Sequence, residues 1–235
     1  MSPPAKEKAR SYLMKVCLFH PTQKTIGKVE TKIRATLMRE AAAAGNLDKY
    51  LRSKAGAYIK GPKDVLFLVD GHHVASSLLT IDKKYIGDDP EFYVTQLDDW
   101  SNQTDLAAFW KKMESAGFAF PYDEQDNRIN PQDIPRDLTG LVDDPYRTLA
   151  WLLRKDEQFE NTNEPFQEFK IGRFLRRHIK IVGSTAVDFA VAMVQARGLL
   201  HLEIAATLPG FLPFPKLFDC RFVSVKVERL LNYIK

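Results

Sequence analysis

Cysteine is scarce. Only Cys17 and Cys220 occur in 235 residues, far apart and each in an apolar setting (KVCLF and FDCRF). That excludes a disulfide framework and a paired redox motif, and points to two buried thiols in a reducing compartment. A strong charge of one sign is also lacking. Lys and Arg number 34 against 30 Asp and Glu, a formal net charge of +4. This balance excludes the charge density of an obligate nucleic-acid coat, while permitting a phosphate-bearing partner. No stretch approaches the roughly 18 uninterrupted apolar residues that a membrane span requires. The most apolar one, residues 179–195, is broken by Lys180 and Asp188. The N-terminus, MSPPAKEKAR, has no apolar segment of the kind a secretory signal carries. The expectation is a soluble, intracellular, cytoplasmic protein with no membrane partner; an organellar address stays open. There is no internal repeat and no low-complexity linker.

With 45% hydrophobic and 27% charged residues, the chain has the balance of an ordinary globular protein and ample length for a core. Residues 1–10 read as a loose arm. Residues 11–19 read as a strand ended by His20-Pro21. Residues 28–44 carry helix formers before a stop at Gly45, and residues 47–54 suit a second short helix. Residues 57–60 and 65–69 read as two strands joined by a turn at 61–64. The second, VLFLV, is apolar without alternation, as in a strand covered on both faces. A helix follows over 75–79, and a strand over 92–97. Leu106, Phe109, Trp110 and Met113 recur at helical spacing in 104–116, with Gly117 as a stop. Residues 118–122 could form a strand; 123–139, with Pro131 and Pro135, read as a surface loop. Asp144-Pro145 opens a helix, another spans 166–180, and Thr185 with Asp188 forms a capping box for a third, running to Arg197. The tail LPGFLPFPKLF is irregular and apolar, suited to packing over the core. Strands precede residue 122 and helices follow it. The fold class is α+β, a compact mixed sheet with helices over 11–122 and a helical extension over 123–235 packed on it.

Chemistry concentrates where the apolar strand meets a helix, at Asp70-Gly71-His72-His73. A glycine turn leading into a helix start offers backbone N–H groups to an anion. Gly71 would admit a phosphate close to the backbone. His72 and His73 would add donors or a general acid or base, and Asp70 would fix an imidazole tautomer or hold a metal ion. The plainer alternative is an N-cap followed by two polar histidines. His20, His178 and His201 have no metal-ligand spacing, so zinc is disfavoured. A second candidate is the basic run Lys170, Arg173, Arg176, Arg177 and Lys180, either a phosphate-binding ridge, which Arg173 and Arg177 would lead, or a solvated helix face. The third is the loop at His20, where Thr22 and Gln23 would contact a ligand and Glu30 would serve as a base.

Five segments in order, HPTQ at 20–23 with Gly27, LVDGHHVASSL at 68–78, YDEQDNRI at 122–129, DDPYRTLAW at 143–151 and EPFQEFKIGRFLR at 164–176, resemble the ParB-like nuclease family, a branch of the ParB/sulfiredoxin superfamily. The resemblance runs over most of residues 12–180 and leaves about the last 50 unmatched. It implies a compact α+β core in which the helix start after a strand cradles phosphate. Branches of the superfamily include CTP-binding partition proteins, sulfiredoxins, nucleases and an ADP-dependent free-serine kinase. Sulfiredoxins place a catalytic cysteine where this chain has His72, which argues against sulfur reduction. The kinase branch follows Asp-Gly-His-His with Arg, and here Val74 stands instead. Valine cannot fork onto phosphate oxygens as arginine does; Lys32, Arg34 or the basic run would have to substitute. Glu30 falls near the position of the kinase branch's base.

The resemblance thus implies an enzyme of phosphate-ester chemistry, nuclease or small-molecule kinase. It would use a nucleotide (ATP, ADP or CTP) or nucleic acid with Mg²⁺, Asp70–His73 and Glu30 carrying the chemistry. The absence of a helix-turn-helix domain leans away from sequence-specific DNA work. The alternatives are a nucleotide- or nucleic-acid-binding module that lost catalysis with the motif arginine, and a nucleic-acid binder working through the 170–180 face.

Overall fold

The computed structural model describes residues 10–162, 164–213 and 225–234. The N-terminal arm (save Arg10), Cys220 and the second half of the apolar tail lie outside these. The helices and strands form an α+β fold in two compact units, described separately. The first holds residues 1–24, 34–122 and 128–141; the second holds 25–33, 123–127 and 142–235.

A five-stranded mixed sheet organises the first unit. Its strands are β1 (Tyr12–Lys15), β2 (Phe19–Pro21), β4 (Gly56–Lys60), β5 (Leu66–Asp70) and β6 (Glu91–Asp99). A further short strand, β3 (Thr25–Ile26), lies in the second unit. The order is β1-β6-β4-β5-β2: β6 pairs antiparallel with β1 and parallel with β4, β4 antiparallel with β5, and β5 parallel with β2. The single strand expected over 11–19 is therefore two strands, separated by a 3-10 turn at Val16–Leu18. Within that turn Val16 is buried and Cys17 is exposed. The thiol expected inside is outside, because a 3-10 turn abandons the two-residue alternation of a strand. The strand run ends at Pro21, the last residue of β2. This proline pairs with Leu68 on an edge strand, where its missing N–H breaks no ladder.

Helices α1 (Lys28–Ala43), α2 (Leu47–Arg52), α3 (His72–Leu78), α4 (Lys83–Ile86) and α5 (Leu106–Ser115) interleave with the strands. Helix α5 follows its sequence period. Asp105 accepts from the N–H groups of Ala107 and Ala108, and Phe109, Trp110 and Met113 are buried. Leu106, expected on the same stripe, is 42% exposed at the first turn. The buried three join Ile59, Phe67, Trp100, Ala119 and Ile134 in one apolar cluster. The Phe67 ring lies 4.7 Å from that of Phe109 and edge-on to Trp110 at 5.4 Å, geometries aromatic pairs favour. Residues 118–122 make only isolated bridges, Gln23 with Phe120 and Tyr122 with Arg128.

The second unit is built on helix packing. Here β3 pairs parallel with β7 (Val142–Asp143), and α6 (Pro145–Lys155), α7 (Gln167–His178), α8 (Ala186–Leu200) and α9 (Val225–Leu231) follow. Every residue of α6 from Arg147 to Leu153 is buried, as expected of a helix packed on several sides, and it packs on α7, α8 and α9. The capping box at Thr185 is present, with both of its hydrogen bonds. The described part of the tail is held by Gln167, whose amide donates to the carbonyls of Glu160 and Pro209.

Truncating the centre of the aromatic cluster tests its weight. Phe109→Ala should destabilise the first unit by about 3–5 kcal/mol, read by urea unfolding followed through tryptophan fluorescence, since Trp100 and Trp110 lie in the same cluster.

Candidate functional site

Strand β5 delivers the turn. Its last residue, Asp70, is exposed, and its Oδ1 accepts the Gly71 N–H at 2.7 Å. Gly71 adopts φ 92°, a left-handed conformation that only glycine takes without strain, and stands at the N-cap of α3. The α3 ladder opens with the Ala75 N–H donating to the Gly71 carbonyl at 2.9 Å. A β-carbon on Gly71 would sit 2.9 Å from the Gly56 Cα, and one on Gly56 only 2.7 Å from the Asp70 carbonyl. Two glycines thus let β4 and the turn touch backbone to backbone. This close approach within the protein explains Gly71 without a ligand.

The two adjacent histidines part company. His72 is 4% exposed, and its Nε2 accepts the backbone N–H of Thr22 at 3.2 Å. An accepting Nε2 carries no proton, so His72 is held as the neutral Nδ1–H tautomer. Thr22, itself buried, donates its hydroxyl to the Leu68 carbonyl at 2.7 Å, and its own carbonyl accepts from Phe120. Gln23 is also buried. His73 is half-buried; its carbonyl accepts the Ser77 hydroxyl. Val74 is 5% exposed, a core residue. Asp70, Gly71, His72, His73, Thr22 and Gln23 thus all belong to the first unit. Asp70 and His73 are its more accessible side chains, and Thr22 and His72 knit β2 to β5 and α3.

His20, beside this junction, is kept neutral. Burial pushes its imidazole below the ordinary value, the Arg136 guanidinium adds to this, and Asp137 opposes it.

Glu30 and the basic run lie in the second unit. Glu30 is 1% exposed on the first turn of α1, its N–H donating to the Thr148 hydroxyl at 3.3 Å. Along α7, most of the basic run is already paired. Arg173 holds Asp126 at 2.7 Å, Arg176 holds Asp144 at 2.6 Å, and Lys170 pairs with Glu164. Arg177 and Lys180 are exposed. Lys32 is exposed and Arg34 half-buried. Among the described residues, no three His, Cys, Asp or Glu side chains gather as a metal site. Asp70 offers one carboxylate; Mg²⁺ bound there would draw its remaining ligands from phosphate oxygens and water.

Sequence reasoning passed over a buried cluster in this unit. Arg147, 5% exposed, lies with its guanidinium 3.3 Å from the centre of the Phe169 ring and 3.6 Å from the Glu168 carboxylate. Arg154 holds the same Glu168 at 2.8 Å. Asp144 caps α6 through the Tyr146 N–H, and burial raises its carboxyl above the ordinary value against the pull of Arg176. A signal existed: Arg147 is followed at i+4 by the wholly buried Trp151, so a cation sits on the apolar side of its helix.

Two outcomes check this geometry. Gly71→Ala should cost about 2 kcal/mol or more, from backbone strain and the clash with Gly56, measured by urea unfolding. Because the unfolded chain protonates His20 at higher pH than the folded one, stability from neutral His20 is intact above about 6.5 and declines below it. Unfolding titrations from pH 7 to 5 should show this slope in the wild type and a shallower one in His20→Gln.

Comparisons with known proteins agree with the fold. The family profile described as Putative ParB-like nuclease matches residues 13–177. A solved structure, that of protein Atu1540 from Agrobacterium tumefaciens, superposes with a TM-score of 0.73 at 28% identity, covering 86% of this chain and 98% of that one. A search of curated proteins finds no match. No helix among the described residues is long and apolar enough to cross a membrane. With the profile spanning well over half of its length, the chain belongs to the ParB-like nuclease family.

Proposed function

We propose that the protein binds the phosphates of a nucleotide (ATP, ADP or CTP) or of a nucleic acid at the β5–α3 turn and acts on a phosphate ester. It either cleaves the ester or transfers the phosphoryl group to a small hydroxylated acceptor. The observation carrying this reading is the turn itself, in a chain of this family: Asp70 exposed, Gly71 left-handed, and His73 at the accessible end of a junction that Thr22 and His72 fix from below. Gly71 leaves no side chain over the backbone, and the half-buried His73 would donate to phosphate or move a proton. Mg²⁺, with Asp70 as one ligand, would offset phosphate charge. Rate would come from positioning and from fixed donors facing the charge that develops on the transferred group.

One observation favours a second reading, a binding module without catalysis. Val74 is packed in the core, so the place of the kinase branch's arginine is filled by an apolar side chain.

Isothermal titration with ATP, ADP and CTP, followed by product analysis with DNA and with free serine, separates these. The first reading expects one nucleotide to bind, and His73→Ala to weaken it at least about tenfold, equivalent to ~1.4 kcal/mol, and to lower turnover. Binding with no product from any substrate supports the module. No binding and no turnover overturns both.

A further inference from the structure

The second unit contains an arrangement that the turn does not use. Strands β3 and β7 pair in parallel, Thr25 with Val142 and Ile26 with Asp143, and each runs directly into a helix. The two helix starts are bonded side by side. The Asp144 N–H donates to the Ile26 carbonyl at 2.8 Å, the Lys28 N–H to Asp143 Oδ1 at 2.8 Å, and the Glu30 N–H to the Thr148 hydroxyl. Gly27 permits the approach, since a β-carbon there would lie 2.6 Å from the Thr148 hydroxyl oxygen. Glu30 and Arg147 occupy matching places, each four residues beyond the paired Ile26 and Asp143. Both are buried.

Arg147 is the unusual member. A guanidinium carries five N–H donors and stays charged. In Arg147, Nη2 lies 3.6 Å from Glu168 Oε2, while Nε and Nη1 have no hydrogen-bond acceptor among the described residues. One face of the group is covered by the Phe169 ring. Buried cationic donors are rarely left unmatched, and those that are call for a ligand or an ordered water. The neighbouring carboxylates are largely taken by nearer arginines. Glu168 is 2.8 Å from Arg154, and Asp144 is 2.6 Å from Arg176. Glu30 and Asp143 complete the acids around these helix starts. Burial pushes the Arg147 guanidinium below its ordinary value, Glu168, Glu30 and Asp144 oppose this only in part, and Arg154 adds to it.

We propose that Arg147 is the anchor of an oxyanion-binding site at the paired starts of α1 and α6, taking a phosphate or carboxylate group through Nε and Nη1. The site is a property of the second unit alone and does not depend on the reading of the glycine turn.

The Arg147 Nε–H resonance, assigned by its loss in Arg147→Met, reports on this directly in the intact chain. Inorganic phosphate, ADP and acetate are titrated in turn, with chloride at matched ionic strength as the control. The proposal expects a saturable shift of this resonance with at least one of the three. A response to phosphate and ADP marks a phosphoryl ligand, and one to acetate alone a carboxylate. It also expects Arg147→Lys, which keeps the charge, to weaken that ligand at least about tenfold by calorimetry. A resonance unmoved by all three, or moved equally by chloride, overturns the proposal and leaves a hydrated structural arginine. Silence at Arg147 while calorimetry still finds nucleotide binding sinks this inference only. A phosphate response at Arg147 with no nucleotide bound sinks the reading of the turn only.

Discussion

The hydrogen bond from the Thr22 backbone to His72 Nε2 is the constraint on which the first unit's junction depends. Together with the Thr22 hydroxyl on the Leu68 carbonyl, it ties the end of β2 to β5 and the start of α3. The Gly56–Gly71 contact fixes the opposite side of the turn. Between these restraints the backbone at residues 70–73 has little freedom, and a buried polar bond of this kind is costly to leave unmade. A rigid turn is what phosphate chemistry asks of a protein, because donors that need not reorganise stabilise developing charge most effectively.

The second unit handles charge in a different way. Arg173, Arg176 and Arg154 are each held by a carboxylate, and Asp144 both caps α6 and receives Arg176. Ion pairs in such places add little net stability but are expensive to break on one side only, so they fix which helices sit together more than how tightly. Of the basic run, Arg177 and Lys180 stay exposed.

Much of the fold was legible from the chain. Segment 65–69 reads as a covered strand because it is apolar without alternation, and α5 because its buried residues recur at helical spacing; Thr185 with Asp188 announces α8. Tertiary context decided what local pattern could not. Cys17 sits in an apolar pentapeptide, yet a three-residue turn points it outward. Pro21 ends β2 as its sequence suggests, but it does so from within the ladder, paired with Leu68 on an edge strand. At the candidate site, the junction at 70–73 was visible as strand, glycine and helix, but the parting of His72 from His73 was not, since it depends on Thr22, 50 residues away in sequence. Arg147 carried only the signal of its i+4 spacing to Trp151, because a lone cation otherwise reads as solvated.

The central claim is that two neighbouring imidazoles divide the work, His72 holding the fold and His73 meeting the ligand. Nitrogen-15 NMR of the histidine rings tests it most directly. The account predicts that at neutral pH His72 is a single neutral species protonated at Nδ1, with Nε2 at the chemical shift of an accepting nitrogen. Adding nucleotide should leave His72 in place and move His73. A His72 protonated at Nε2, or ring signals of His72 that follow the nucleotide while those of His73 stay still, would contradict it.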